Sequence, residues 1–118
     1  MFEGLMQNDY PLSLRHPLER MRTVYADRTI ATLEDASLLP DGGVTHATYG
    51  EVGERVDRLA RALQTLGLQE GDRVGTFGWN SQRHFELYYA VPCSGMVLHT
   101  LNIRLFAEQI EYIVENAD

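Results

Sequence analysis

Apolar and polar positions alternate in two distinct rhythms along the chain, and the clearest change of rhythm falls between residues 48 and 80. Val52, Val56, Leu59, Ala60, Leu63 and Leu66 recur at helical steps, while Glu51, Glu54, Arg55, Asp57, Arg58 and Arg61 fill the other face. The spacing predicts an amphipathic helix. Thr48 stands where its cap is needed and Glu51 three positions on, the capping-box spacing. Gly67 takes the left-handed position that ends such a helix, and Leu68 folds back on its last turn. Glu70-Gly71-Asp72 marks a turn. Val74, Thr76 and Phe77 then read as a short strand, with Gly75 and Gly78 beside them.

The flanking segments follow the same logic. Residues 1–12 read as an arm whose Phe2, Leu5 and Met6 have nothing local to hold them. A first helix carries Leu14, Leu18, Met21 and Tyr25 on one side and starts near Pro17, since proline is tolerated only in a first turn. Residues 28–34 alternate as a strand, with Ile30 and Thr32 on one face and Leu33 on the other. Residues 39–43 are loop and 44–47 a second strand, so 28–47 reads as an antiparallel hairpin with a long connection. Asn80 or Ser81 caps a helix bearing Phe85, Tyr88 and Tyr89, which Pro92 bends or ends and Gly95 closes. A strand at 96–100, a connector and a helix over 106–116 complete the order. The fold class is therefore α/β: strand 73–77, helix 81–94 and strand 96–100 form a β-α-β unit with parallel strands, and the hairpin is expected to add an antiparallel edge to it.

Composition narrows function mainly by exclusion. The chain has 118 residues, a size suited to one domain, with net charge −7 and no basic run, which argues against nucleic acid. All ten basic residues are arginine. Chemistry that needs a lysine amine, such as a Schiff base or a P-loop lysine on phosphate, is closed to this sequence. Cys93 is the single cysteine, so no internal disulfide forms, and a reducing, cytoplasmic compartment is expected. The first residues lack the basic start and long apolar run of a secretory signal. The most apolar region, 87–98, is too short to span a bilayer.

Candidate chemistry is sparse. Gly71, Gly75 and Gly78 border a strand running into a helix, as a phosphate cradle would, but without GxGxxG or GK[ST] spacing; turn formation and close packing explain them better. His16, His46, His84 and His99 have no metal-ligand spacing with one another or with Cys93. His99 stands out because it ends a predicted parallel strand, where ligands gather in such sheets. Cys93 lies among small residues with no base beside it, as a buried inert thiol does. Trp79 reads as a packing anchor. Asn102 and Arg104 follow the last strand, and facing a ligand and bracing a turn are evenly matched roles for them. Glu51, Glu54 and Asp57 form a solvated helix face, not a tuned acid/base pair. No catalytic, cofactor-binding or metal-ligating residue is assigned.

The order of the elements nevertheless resembles the N-terminal part of acyl-CoA synthetases of the adenylate-forming superfamily, above all medium- and long-chain fatty-acid–CoA ligases. The matching pieces are Thr48-Tyr49 with the helix ending Leu66-Gly67, Gly71-Asp72-Arg73-Val74, Asn80-Ser81 with the aromatic helix, Gly95, and Asn102-x-Arg104-Leu105 before the last helix. Met6-Gln7 and Pro11-Leu12 in the arm resemble the same subgroup. Phe106 departs from the pattern, since these proteins often carry a polar cap there.

The resemblance implies a partial domain over 1–118, a fragment of the large N-terminal domain of such a synthetase. It also implies a two-step reaction for the whole enzyme: a carboxylate attacks the α-phosphate of ATP, with magnesium offsetting phosphate charge, and coenzyme A displaces AMP from the acyl-adenylate. The phosphate loop with its lysine, the adenine-contacting region and the small C-terminal domain are all expected beyond residue 118, leaving this segment inactive alone and without a bound cofactor. Fatty acid, ATP and coenzyme A are thus partners of the whole enzyme. The resemblance also allows a homodimer through the N-terminal region and peripheral membrane association of the whole enzyme. The contrasting expectation is an independent small α/β binding or dimerisation module without catalysis.

Overall fold

A computed structural model of the chain describes residues 12–34 and 43–117. The expected arm, apart from Leu12, and the loop up to residue 42 lie outside the described residues. The elements run α1 (Arg15–Thr23), β1 (Thr29–Leu33), β2 (Val44–Thr48), α2 (Tyr49–Thr65), β3 (Arg73–Phe77), α3 (Gln82–Cys93), β4 (Val97–Leu101) and α4 (Ala107–Ala117). Pro17 falls in the first turn of α1, where a missing N–H costs no helical bond. Pro92 lies in the last turn of α3, and that helix ends one residue later.

The start of α2 is a complete capping box. Thr48 Oγ1 accepts from the Glu51 N–H at 3.2 Å, and the Glu51 carboxylate accepts from the Thr48 N–H at 2.8 Å and from its hydroxyl at 3.0 Å. These bonds, the backbone one first, hold the Glu51 carboxyl below the usual glutamate range. Its contribution is therefore present above the unfolded-state pKa and lost as pH falls through the lower folded-state one. Thr48→Ala is expected to lower stability by about 1 kcal/mol at neutral pH. In urea titrations at stepped pH, the gap to the parent should persist, because the Glu51 N–H loses its acceptor at every pH, and narrow slightly in acid as the hydroxyl–carboxylate bond loses its value; no gap at neutral pH would contradict the capping assignment.

Both helices that feed the parallel strands stop in the same way. At the end of α2 the Leu68 N–H donates to Leu63 O and the Gly67 N–H to Gln64 O; at the end of α3 the Met96 N–H donates to Val91 O and the Gly95 N–H to Pro92 O. These are two Schellman motifs, with Gly67 at φ 96° and Gly95 at φ 80° supplying the left-handed residue. The Gly71 N–H donates to Gly95 O and the Val97 N–H to Asp72 O, so the two turns are tied together just before the strands begin. From there β3 and β4 pair in parallel, Arg73 opposite Val97 through Phe77 opposite Leu101. The hairpin pairs antiparallel, Thr29 opposite Thr48 through Leu33 opposite Val44.

One expectation fails here. The hairpin does not extend the parallel sheet; among the described residues the strands form two separate two-stranded sheets. Helix α3 packs against both β1 and β4. The Gln82 N–H donates to Thr32 Oγ1 at 3.0 Å, so β1 is fastened to the helix and not to the β3–β4 sheet.

The core gathers Leu18 and Met21 of α1, Ala47 of β2, Val52 and Val56 of α2 and Ala90 of α3, with Phe85 and Tyr89 packed edge-to-face at its margin. It occupies only part of the available apolar surface. The stripe on α2 runs out beyond its partners, leaving Leu66 77% exposed. Helix α4 buries none of its residues among those described. Its start lacks a polar cap, as expected from Phe106, but Gln109 supplies half a capping box by accepting from the Phe106 N–H at 3.2 Å.

Candidate functional site

Side by side, β3 and β4 deliver two turns to one end of their sheet. Gly78, Trp79, Asn80 and Ser81 lead from β3 into α3, and residues 102–106 lead from β4 towards α4. A cleft of about 320 Å³ opens between them, walled by Trp79, Asn80, His84, Tyr88, Asn102 and Arg104 among others. It lies beyond the carboxyl ends of parallel strands, the place where ligands bind in α/β sheets.

The side chains around the cleft differ in how they are held. Ser81 caps α3, accepting from the His84 N–H. His84 is buried, with Nε2 3.0 Å from Thr76 Oγ1 and Nδ1 3.3 Å from Trp79 O, and its ring lies 5.2 Å from that of Tyr88. Asn102 braces its own turn: its Oδ1 accepts from the Arg104 N–H at 3.0 Å and its carbonyl from the Leu105 N–H. The evenly matched roles of Asn102 and Arg104 thus separate. Asn102 shapes the turn, while the exposed Arg104 guanidinium sits at the cleft with no partner among the described residues. Trp79 is 71% exposed, so it anchors no packing among the described residues.

The remaining candidates do not converge. Gly71 and Gly78 stand at opposite ends of β3, and Gly75 lies between them opposite His99, so the three glycines form no common cradle. Gly71, at φ 91°, makes the turn. His99 is the third of five residues in β4, which extends to Leu101, and so falls short of the strand end. His16 lies in α1 and the exposed His46 in β2. Among the described residues no three His, Cys, Asp or Glu side chains are placed to hold a metal ion. Cys93 is half-buried; burial pushes its thiol pKa up, against the pull of Arg15 and Arg22. It is a poor nucleophile at neutral pH.

The charged face of α2 is less solvated than its pattern suggests. Asp57 accepts from Arg22 Nη2 at 2.9 Å, and that same nitrogen donates to Gly53 O at 2.8 Å. Arg55 Nε donates at 2.6 Å to Oε1 of Glu86, whose side chain is only 6% exposed and also accepts from Gln82 Nε2 at 2.7 Å. These pairs join α1 to α2 and α2 to α3, and so fix the cleft end of α3 against the core. Sequence reading missed His84, Tyr88 and Thr76 as one group. The available signal was Thr76 at the inward position of β3 and His84 in the first turn of the helix that follows.

Comparison with known proteins places the chain. Residues 19–118 match the family described as AMP-binding enzyme. The chain is 45% identical over 93 residues to the 3-methylmercaptopropionyl-CoA ligase of Ruegeria lacuscaerulensis, covering 79% of this chain and 17% of that protein. It is 40% identical over 123 aligned residues to the long-chain-fatty-acid–CoA ligase of Thermus thermophilus, covering 98% of this chain and 22% of that one. The fold matches the N-terminal subdomain of Klebsiella oxytoca NpsA in complex with anthranilyl-AMSN, with TM-score 0.73 at 22% identity, over 89% of this chain and 25% of that one. The chain thus spans about one-fifth of the length of these curated relatives. No helix among the described residues is long and apolar enough to cross a membrane. The chain belongs to the AMP-binding enzyme family.

Proposed function

We propose that this segment, residues 1–118 as one partial domain, is a supporting portion of a fatty-acid–CoA ligase and has no ligase activity alone. The observation that carries the reading is the asymmetry of coverage: 98% of this chain aligns with the Thermus thermophilus long-chain ligase yet accounts for 22% of it. The lysine-free composition agrees, because the chain offers no ammonium to place on a transferring phosphoryl group. In the whole enzyme ATP would activate the fatty-acid carboxylate as an acyl-adenylate and coenzyme A would displace AMP. The role of the present residues is to build one end of a sheet and to present the Trp79 and Arg104 turns towards that chemistry. The independent-module reading accounts less well for an α4 with no buried residue and an exposed Leu66.

Two measurements test this. The purified chain should give no fatty-acid-dependent ATP–pyrophosphate exchange; clear turnover would refute the assignment. Substituted for the matching residues of the Thermus thermophilus enzyme, the segment should support acyl-CoA formation. A folded chimera devoid of thioester synthesis would count against the family role.

A further inference from the structure

We propose that His84 is a positioning residue of the cleft, acting through the Trp79–Asn80 turn; this rests on the cleft being ligand-facing, as proposed above. The turn has little packing of its own. Trp79 is largely exposed, Asn80 is exposed, and a Cβ built on Gly78 would meet nothing within 4 Å. What restrains it comes from beneath. A carbonyl oxygen only accepts, so the 3.3 Å contact with Trp79 O assigns the proton to Nδ1 of His84. In the neutral ring Nε2 then accepts from the Thr76 hydroxyl at 3.0 Å. The His84 N–H bonds to Ser81 Oγ, so one residue ties the last inward side chain of β3, the carbonyl of the turn and the cap of α3 to one another. Tyr88 covers the ring on one side. An apolar residue could fill the same volume, but it would leave the buried Thr76 hydroxyl and the Trp79 carbonyl without these partners.

His84 also stands between two cavities. It lines the cleft and, with Asn80 and Tyr88, a more apolar groove of about 390 Å³ between β1 and α3. Its ring therefore sets both the direction of Trp79 and the inner limit of the cleft.

Trp79 is the only tryptophan, so its emission anisotropy reports on this turn without a label. Asparagine places an amide N–H near the position of Nδ1, whereas glutamine reaches towards that of Nε2. In the 118-residue chain, H84N should keep the parental anisotropy and H84Q should lower it, with the far-UV circular dichroism of both unchanged. H84A serves as the full deletion, and the Asn/Gln pair decides the matter even if H84A does not fold. Equal anisotropy for H84N and H84Q would overturn the proposal, because a side chain that merely fills space would not distinguish them. In the chimeric ligase, H84Q should raise the KM of fatty acid, ATP or coenzyme A several-fold while H84N stays near the parent. Loss of Trp79 order in H84Q with all three KM values at the parental level would sink the ligand-facing reading and leave the turn-holding geometry standing.

Discussion

Arg55→Ala should destabilise the chain by about 2–3 kcal/mol, well beyond the effect of an ordinary surface substitution. The reason lies in the unequal burial of the two partners. The Glu86 side chain is 6% exposed and that of Arg55 is 43% exposed. Removing the arginine strands a carboxylate that water barely reaches, with Gln82 as its remaining partner among the described residues. Removing the charge on the carboxylate instead leaves an arginine that turns readily to solvent. Glu86→Gln should therefore cost roughly 1 kcal/mol, and the double replacement of Arg55 and Glu86 by leucine should come close to the parent. Denaturant unfolding of the three variants provides the check. A larger loss for Glu86→Gln than for Arg55→Ala would show that the pair is not limited by carboxylate desolvation. The consequence reaches the cleft, because Gln82 is the first residue of α3 and its own N–H is fastened to Thr32.

What the sequence reveals and what it hides divide along the distance over which a contact acts. The Thr48–Glu51 box and the two glycine-terminated helices are legible because cap, helix and stop lie within a few residues of one another, and each needs a particular side chain or a positive φ. The parallel pairing of β3 and β4 is legible because two strands joined through a helix take that arrangement. The Arg55–Glu86 contact joins residues 31 positions apart, and the Arg22–Asp57 contact joins residues 35 apart. Nothing in a helical wheel distinguishes a charge that meets such a partner from one that meets water. The hairpin misleads for a related reason: alternation predicts two strands and their pairing, but not which element covers them. The cleft was half legible. Its location follows from strand polarity, whereas the separation of Asn102 from Arg104 and the clamp on the Trp79 carbonyl depend on turn geometry that the residue types leave open.

Gly53 gives the other large effect, because α1 and α2 approach closely there. A Cβ added there would lie 3.0 Å from Arg22 Cβ and 3.1 Å from its Nε. The first of these atoms belongs to the stem of the side chain and cannot swing away without moving α1. The Gly53 carbonyl also accepts from Arg22 Nη2, and the same nitrogen donates to Asp57, whose hydrogen bond raises the Arg22 pKa further. Gly53→Leu must therefore push the helices apart and break that three-way contact together, at a cost of about 3 kcal/mol. Gly50, one turn earlier on the same helix, is the control: its added Cβ would meet Ala26 O at 3.5 Å, an ordinary contact. Gly50→Ala should be neutral or stabilising by up to about 1 kcal/mol through helix propensity. If the clash with Arg22 is the cause, shortening that residue in the Gly53→Leu background should recover part of the loss, although Arg22→Ala alone is destabilising. Additive losses in that double-mutant cycle would place the damage elsewhere.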